Sequence, residues 1–544
     1  MFTKRFATLS LFLPAHGNKT NKLRVALLIC VSLLSLLLSL SATGQNRATA
    51  RRLPKPEKIV GDYLQTLGGK KRLGNVRDAA YEWNIEFNNQ PYGRGRTEIK
   101  APSSVRADLA FGNGATSYAA TARSVWTRGI DGSANTLTGT EASRARMLAT
   151  LIASHLIDFR KQNLLARTVA LEARDDAQFY VIEFTARDNS RVRYEFDQRS
   201  KLLVRITDDA GRWLARFSDY QSVSELLEPH RVELNLNDAG ALALRLQSVR
   251  RNTNLSETTF EPPRASEVDV AILLREVARN QTIVDERVRQ YSFKQKQTER
   301  TLNSRGEVTK ETVRIYEVFP LPGRHPAFKL LSENGVPLSD ERRAREEKRV
   351  TEELEEAERD REKDKRKRDA RENKRAQRAA NSDAKTQGDD EEDARQFTGI
   401  LLRACELVAP RRERFRDRDA VVFDFRPRAG FRPANRVESL VGKLGGIVWI
   451  DPVDKQVMRF EARLTEGFKI GGGLFASVRP GTALVVEQIR LPDGVWLPRL
   501  AQFNASVRIL LLGGGDYNVT QEWSDYRRFN VEAGDAILNT PKDN

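Results

Sequence analysis

Residues 448–460 read "VWIDPVDKQVMRF", and residues 194–206 read "YEFDQRSKLLVRI". In both, an Asp follows an aromatic or apolar run (Asp197, Asp451). A Lys comes four residues later (Lys201, Lys455) and an Arg four after that (Arg205, Arg459). Each string reads as strand, turn, strand. The Asp side chain is the acceptor that starts the turn, and the second strand points its Arg outward. A Pro-bearing segment follows each copy, "LEPHRVEL" around Pro229 and "WLPRLAQF" around Pro498. The repetition predicts a duplicated unit with Asp197 and Asp451 at equivalent hairpins.

Outward from the first copy, a helix follows Pro56. Ile59, Val60, Tyr63, Leu64 and Leu67 fall at helical spacing, and Gly68 and Gly69 supply the stop. The period then changes to two. "YEWNIEFN" puts Tyr81, Trp83, Ile85 and Phe87 on one face and polar residues on the other, the pattern of a half-buried strand. It recurs at Val192/Tyr194/Phe196, Val232/Leu234/Leu236 and Leu242/Leu244/Leu246. Between strand groups, "EASRARMLATLIASHLIDFRKQ" (141–162) predicts an amphipathic helix with Leu151 and His155 on its apolar stripe. On that stripe His155 reads as a packed core histidine, not a ligand.

"FEPPRASE" (260–267) breaks the pattern and opens a second unit that again runs helix, then strands. Residues 339–380 are dominated by charge, with i,i+4 pairs such as Glu341–Arg345 and Glu355–Arg359. They predict a solvated helix whose first half packs through Val350, Leu354 and Ala357, running on into a disordered segment. Strands resume at "AVVFDF" (420–425).

The wording also resembles a known group. "YLQTLGGKKRLGNVRD" (63–78), "RFSDYQSV", "LEPHRVEL" and the Asp hairpin are similar to outer-membrane lipoprotein-sorting proteins of the periplasmic lipoprotein carrier (LolA-like) superfamily. The second unit is similar at "VWIDPVDKQVMRFEA", "GVWLPRL" and "EWSDYRRF". The resemblance implies an α+β chain of two tandem incomplete antiparallel β-barrels (half-barrels), each covered by helices, plus a long charged helical and disordered insert. It also implies an apolar interior that takes lipid or the acyl chains of lipoproteins. The expected divisions are a signal peptide or signal anchor at 1–44 and a linker at 45–54. The first half-barrel follows at 55–263, the second at 264–532 with the insert at 339–396, and a tail at 533–544.

Composition supports export. The chain has 544 residues and a formal net charge of +17. A basic flank ending at Arg24 precedes "VALLICVSLLSLLLSLSATG", with Ala42 and Gly44 at the small positions of a cleavage site before Gln45. The alternative is an uncleaved inner-membrane anchor facing the periplasm. The net charge suits an anionic membrane surface, whereas the interleaved acids of the insert argue against nucleic acid. Two cysteines, of which Cys30 lies in the leader, give no disulfide framework.

Chemistry is absent from the motifs: there is no G-x-S-x-G elbow, P-loop or H-E-x-x-H. The expectation is a non-enzymatic exported protein with no catalytic, cofactor or metal residues, its protein partner unknown. The expected lining of the lipid cleft is Trp83, Ile85, Phe87, Leu151, Tyr194 and Phe196, with Leu151 part of a lid. The alternatives are an envelope scaffold that binds nothing small, a cleft filled by the protein's own side chains, and a hydrolase.

Overall fold

Helix α1 (Pro56–Thr66) begins with Pro56 in its first turn and buries Ile59, Val60 and Leu64. It stops at Gly68 and Gly69, whose φ values of 125° and 98° favour glycine. Gly68 has a second reason to be glycine. A Cβ there would lie 2.7 Å from the Glu225 carbonyl oxygen, because this turn docks onto a strand through Leu227 N–H to Leu67 O (3.0 Å). The computed structural model describes residues 53–528 apart from 237–239, 265–267, 289, 304–306, 322–325, 377–398, 471–475 and 510–512. The leader, most of the linker, the end of the insert and the tail lie outside the described residues.

Helix α2 (Lys70–Gly74) leads into β1 (Asp78–Phe87), β2 (Gln90–Lys100), β3 (Ser104–Phe111), β4 (Gly114–Ala120), β5 (Val125–Arg128) and β6 (Ala134–Thr136). After α3 (Gly139–Ala153) come β7 (Leu165–Arg174), β8 (Ala177–Thr185), β9 (Arg191–Asp197), β10 (Leu203–Asp208), β11 (Trp213–Val223), β12 (Leu226–Asn235) and β13 (Ala241–Arg251). They form one antiparallel sheet in the order β6-β5-β4-β3-β2-β1-β13-β12-β11-β10-β9-β8-β7. The first strand pairs with the last, and the two half-sheets run outward from that seam.

The second unit repeats the plan. It consists of α4 (Val270–Val288), β14 (Tyr291–Leu302), β15 (Val308–Phe319), β16 (Ala327–Glu333), β17 (Val336–Pro337), α5 (Asp340–Ala376), β18 (Cys405–Phe415), β19 (Arg418–Pro427), α6 (Arg436–Val441), β20 (Leu444–Asp451) and β21 (Gln456–Leu464), followed by β22 (Phe468–Ile470), β23 (Ala476–Val478), β24 (Ala483–Arg490), β25 (Trp496–Ile509) and β26 (Gly513–Arg528). Its order, β17-β16-β15-β14-β26-β25-β24-β21-β20-β19-β18, again pairs the first strand with the last. The chain is thus two tandem open antiparallel half-barrels with few helices, as the sequence predicts.

Asp197 ends β9 and Asp451 ends β20, strands at the same place in the two orders. Asp197 Oδ1 accepts the N–H groups of Arg199 (3.0 Å) and Ser200 (2.6 Å), and Asp451 Oδ1 those of Val453 and Asp454 (2.8 Å each). Lys201 and Lys455 close the turns at φ 62° and 53°, each donating its N–H to its Asp carbonyl at 3.0 Å. Pro229 and Pro498 also stand on equivalent strands, β12 and β25.

Helices cover the concave side. In the first unit α1 and α3 pack on Ile182, Phe184, Val192, Tyr194, Phe196 and Ile206. In the second, Val270, Leu273, Leu274 and Val277 of α4 pack on Val421, Phe423, Phe425, Val448 and Ile450. Helix α3 is shorter than the predicted 141–162. His155, Leu156 and Asp158 take positive φ, so the chain turns out of the helix after Ala153 while Leu156 and Phe159 stay buried. The first half of α5 packs as expected, with Val350, Leu354 and Ala357 against Phe319, Leu321 and Ala327.

The convex faces differ. Counting back from each hairpin Asp, Glu195 and Arg193 of the first unit correspond to Trp449 and Ile447 of the second, both buried. Trp449 and Ile447 pack with Ala420, Val422, Met458 and Trp496 of their own unit, and the same face also carries a contact between the units. Arg411, 0% exposed, donates to Glu413 (2.5 Å), Asp424 (3.1 Å) and Thr136 Oγ1 of the first unit (2.5 Å). Arg123 of the first unit reaches Asp424 (3.2 Å), and Thr136 N–H donates to Glu413 (2.8 Å). Arg187–Asp516 and Arg167–Glu307 (2.9 Å) extend the contact. The expectation that both hairpin Arg residues point outward to solvent is therefore corrected for Arg459. It lies on the convex face but is buried between Glu461 (2.8 Å) and Glu487 (2.5 Å), over the Trp449 ring. Arg205 keeps its edge to solvent and bonds Glu195 (2.9 Å).

The two hairpins differ in what they hold. Asp451 also accepts from Arg418 (2.6 Å); burial raises its pKa, but Arg418 and the two turn N–H groups outweigh that and hold it below the ordinary 3.8. Its contribution is therefore complete at neutral pH and lost as pH falls through the depressed folded value, below about 3.8. Asp451→Ala should cost about 2–3 kcal/mol and Asp197→Ala about 1 kcal/mol, read from urea midpoints at pH 7. Equal losses would mean that the Arg418 contact adds nothing.

Candidate functional site

The concave face of the first sheet divides into a part under helices and a part free of them. Paired residues directly opposite one another share a face. Trp83, Ile85 and Phe87 of β1 stand opposite Leu246, Leu244 and Leu242 of β13, and Val232 and Leu234 of β12 continue the rows. On the other side Gly95 and Gly93 of β2 lead to Leu109 and Phe111 of β3. This apolar stripe has no helical residue in it.

The two glycines make the stripe possible. A Cβ at Gly95 would meet Leu109 Cδ2 at 3.2 Å and Ile85 Cδ1 at 3.5 Å, and one at Gly93 would lie 2.2 Å from the Ala110 carbonyl oxygen. A side chain at Gly93 would collide with the backbone of β3, so the strands keep this spacing only with glycine there. One end of the stripe is an aromatic rim. Tyr92, 46% exposed, lies between Phe87 (5.5 Å) and Phe111 (5.1 Å), with exposed Ile130 against Gly114 and exposed Leu236 beside the stripe.

The structure separates the six residues named from sequence. Trp83, Ile85 and Phe87 lie together in the helix-free stripe. Leu151 of α3 belongs to the helix-covered core, where Tyr194 and Phe196 pack beneath α1 and α3, with the Tyr63 ring of α1 5.2 Å from Phe196. Both sets share the concave side, but the helices cover β8–β10 and the ends of β1–β4 that carry Ala79, Ile99, Val105 and Ala120, and leave bare the opposite ends of β3, β2, β1, β13 and β12.

At its other end the stripe meets polar groups that sequence reasoning missed. The ladder between β12 and β13 stops at Arg231 and Arg245. Beyond it the strands part, and side chains bridge the split: Arg251 donates to Glu228 (2.5 Å) and to Val223 O (3.2 Å). A proline removes one ladder donor, and Pro229 falls where its strand has already lost a neighbour. Tyr81, stacked on Trp83 at 5.9 Å, faces the Glu228 carboxylate, and Tyr63 and Tyr220 line the same space. Tyr220 donates to Leu203 O (2.8 Å).

Titration reflects this setting. Burial raises Glu228 above its ordinary value and outweighs Arg251, which lowers it. Burial, with the Glu228 charge beside them, raises Tyr63 and Tyr81. His155, half-buried near Arg251, is pushed down to about 4, chiefly by burial, so it is neutral at physiological pH. The Tyr194 hydroxyl is buried, with the residue 2% exposed, and has no hydrogen-bond partner among the described residues. Tyr63 and Tyr81 were legible on their apolar faces, and Tyr220 and Glu228 fall within "RFSDYQSV" and "LEPHRVEL", but nothing in the sequence joined them to one another or to Arg251.

In the second unit the corresponding surface is mixed, with exposed Phe503 and Tyr517 on the same face as a row of glutamines. Gln295 and Gln297 of β14 and Gln521 of β26 are buried, and Gln297 Oε1 accepts from both other glutamines at 3.4 Å. Gln297 donates in turn to Glu299 (2.5 Å). The described residues hold no cluster of His, Cys, Asp and Glu suited to a metal ion, and the thiol of the buried Cys405 is pushed up to about 11 by burial.

No protein-family model matches the chain, and no curated protein does. Solved structures do match. A LolA superfamily protein from Nitrosomonas europaea is 14% identical, with 39% of this chain covering 99% of that one at a TM-score of 0.28. An outer membrane lipoprotein-sorting protein domain from Vibrio parahaemolyticus is 12% identical, with 37% of this chain covering 97% of that one at 0.26. The complex of MucA and MucB from Pseudomonas aeruginosa matches at 7% identity, over 87% of this chain and 99% of that one, at 0.17. The names of the first two match the resemblance drawn from the motifs; the fold assignment itself stands on the strand order and on the paired hairpins.

An orphaned buried hydroxyl costs about 1–3 kcal/mol. Tyr194→Phe should therefore leave the ligand-free protein as stable as the parent or more so, by up to about 1 kcal/mol in urea unfolding. A loss of stability would show that the hydroxyl is satisfied in the folded protein.

Proposed function

We propose that the chain is a non-enzymatic, exported envelope protein whose first half-barrel holds lipid, or the acyl chains of a lipoprotein, on its concave face. One observation carries the reading: the apolar stripe from Phe111 across Trp83, Ile85 and Phe87 to Leu244 and Val232 contains no helical residue and ends in an exposed rim at Tyr92 and Leu236. The floor residues are already buried against one another, so a chain would lie over them and between the half-exposed members Phe87, Leu109, Phe111 and Leu234. Each methylene moved there from water is worth about 0.8 kcal/mol. From Tyr81 to Phe87 the strand spans roughly 20 Å, enough for a long acyl chain.

The buried glutamines Gln295, Gln297 and Gln521 interrupt the apolar residues Phe503, Val519 and Trp523 on the concave surface of the second unit, which favours the first unit as the carrier. The leader and the basic balance of the chain support export and a place near anionic membrane.

Lipids extracted from the mature protein, purified from its native envelope, should include a long-chain species detectable by mass spectrometry. Phe87→Asp puts a carboxylate where the chain would lie and should weaken binding of a fluorescent fatty acid more than tenfold, because an unpaired charge is costly to desolvate. Circular dichroism reports folding. A folded variant that binds as well as the parent, or a parent that binds nothing, would leave the envelope-scaffold reading in place.

A further inference from the structure

We propose that the split between β12 and β13 is the head-group end of this site, and that it selects a single-chain ligand with a carboxylate head, which pairs with Arg251 in place of Glu228. The inference rests on the lipid-binding reading and adds to it the chemistry of the head.

The geometry points there in three ways. The stripe runs without a break into the split, because Tyr81 packs against both the stripe and the helix-covered core. The Arg251 and Glu228 side chains keep 13% and 14% of their surface, so the pair is reached from solvent although it is mostly enclosed. The enclosure is lined by phenols, and the buried Tyr194 hydroxyl beside Tyr63 has no partner among the described residues. An amphiphile with its chain on the stripe would bring its head to Arg251, among donors.

Glu228 decides the selectivity. While ionised it occupies the guanidinium and repels an anionic head. Burial already favours its neutral form, so it is the group that yields. A carboxylate arriving at Arg251 leaves Glu228 to take one proton from solvent, and the charge within the split is unchanged. The groups facing Glu228 are Arg251 on β13, Tyr81 on β1, Tyr63 on α1, Tyr220 on β11 and His230 on its own strand, with His155 behind Arg251. The phenols stay neutral in the working range, and neutral His155 adds no competing charge. Coupled proton uptake means that binding weakens as pH rises, by up to about tenfold per unit above the pKa of Glu228.

The test uses the full mature chain and three probes of equal length, dodecanoate, dodecanol and dodecylamine, titrated by calorimetry at pH 6, 7 and 8. Dodecanoate should bind most tightly at pH 6 and lose affinity towards pH 8, whereas dodecanol should be insensitive to pH. Glu228→Gln should bind dodecanoate at pH 8 at least as tightly as the parent does at pH 6, with the pH dependence gone. Arg251→Gln should lose more than tenfold for dodecanoate and little for dodecanol; should that variant not fold, Glu228→Gln decides alone. Equal, pH-independent binding of dodecanoate and dodecanol, unchanged in Glu228→Gln, would overturn the head-group assignment and leave the stripe as the site. A preference for dodecylamine would overturn it in favour of a cation site. Binding of no probe by the folded parent would bring down the lipid reading itself.

Discussion

The concave face depends on one pairing, that of β1 with β13. It joins residues 78–87 to 241–251, so the first strand of the unit waits for the last. Only this seam sets Trp83, Ile85 and Phe87 against Leu246, Leu244 and Leu242. A shift of one residue would turn the whole set to the convex face, since side chains alternate along a strand. The convex face reads the same register in charges. Glu86 meets Arg245 and Arg231 there, and Arg96 lies between Glu82 and Glu98. Apolar matching on one side and charge matching on the other thus specify a single register.

The same seam exists in the second unit, but there the chemistry of both faces has changed. Its concave face carries glutamines beside β26, and its convex face carries Trp449, Ile447 and an enclosed Arg411. These changes belong together. A convex face that packs on the other unit must be apolar or fully paired, because an unpaired buried charge is costly. Arg411 meets the condition through Glu413, Asp424, Thr136 and the Ala409 carbonyl. The second copy thus meets the first through a face on which Arg411 is paired within its own unit and across the contact. The first copy has a convex face of paired charges and an apolar concave face that helices cover only in part.

Function in such a site follows from where helices are missing. Helices α1 and α3 fill one half of the first concave face with aliphatic and aromatic side chains, which makes a core. The other half has the same kind of side chains and no helix over it, which leaves an apolar surface, the one proposed to hold lipid. The Glu228–Arg251 pair stands where the sheet splits and the two halves meet.

Much of this was legible in the sequence. The repeated Asp hairpin announced the duplication, the alternation in "YEWNIEFN" gave the strand and its apolar face, and Gly68–Gly69 gave the helix stop, because each depends on neighbours a few residues apart. The end of α3 after Ala153 was not legible, since left-handed turns at His155 and Leu156 are imposed by the packing of Leu156 and Phe159. Nor was the separation of Trp83, Ile85 and Phe87 from Leu151, Tyr194 and Phe196, as an alternating pattern says which face is apolar but not whether a helix lies on it. The burial of Arg459 and the meeting of Glu228 with Arg251 belong to the same class. The sequence by itself determined local periodicity, turn chemistry and the repeat. Only the tertiary structure decided which apolar face is core and which is site, because that depends on side chains distant in sequence that fill the space or leave it open.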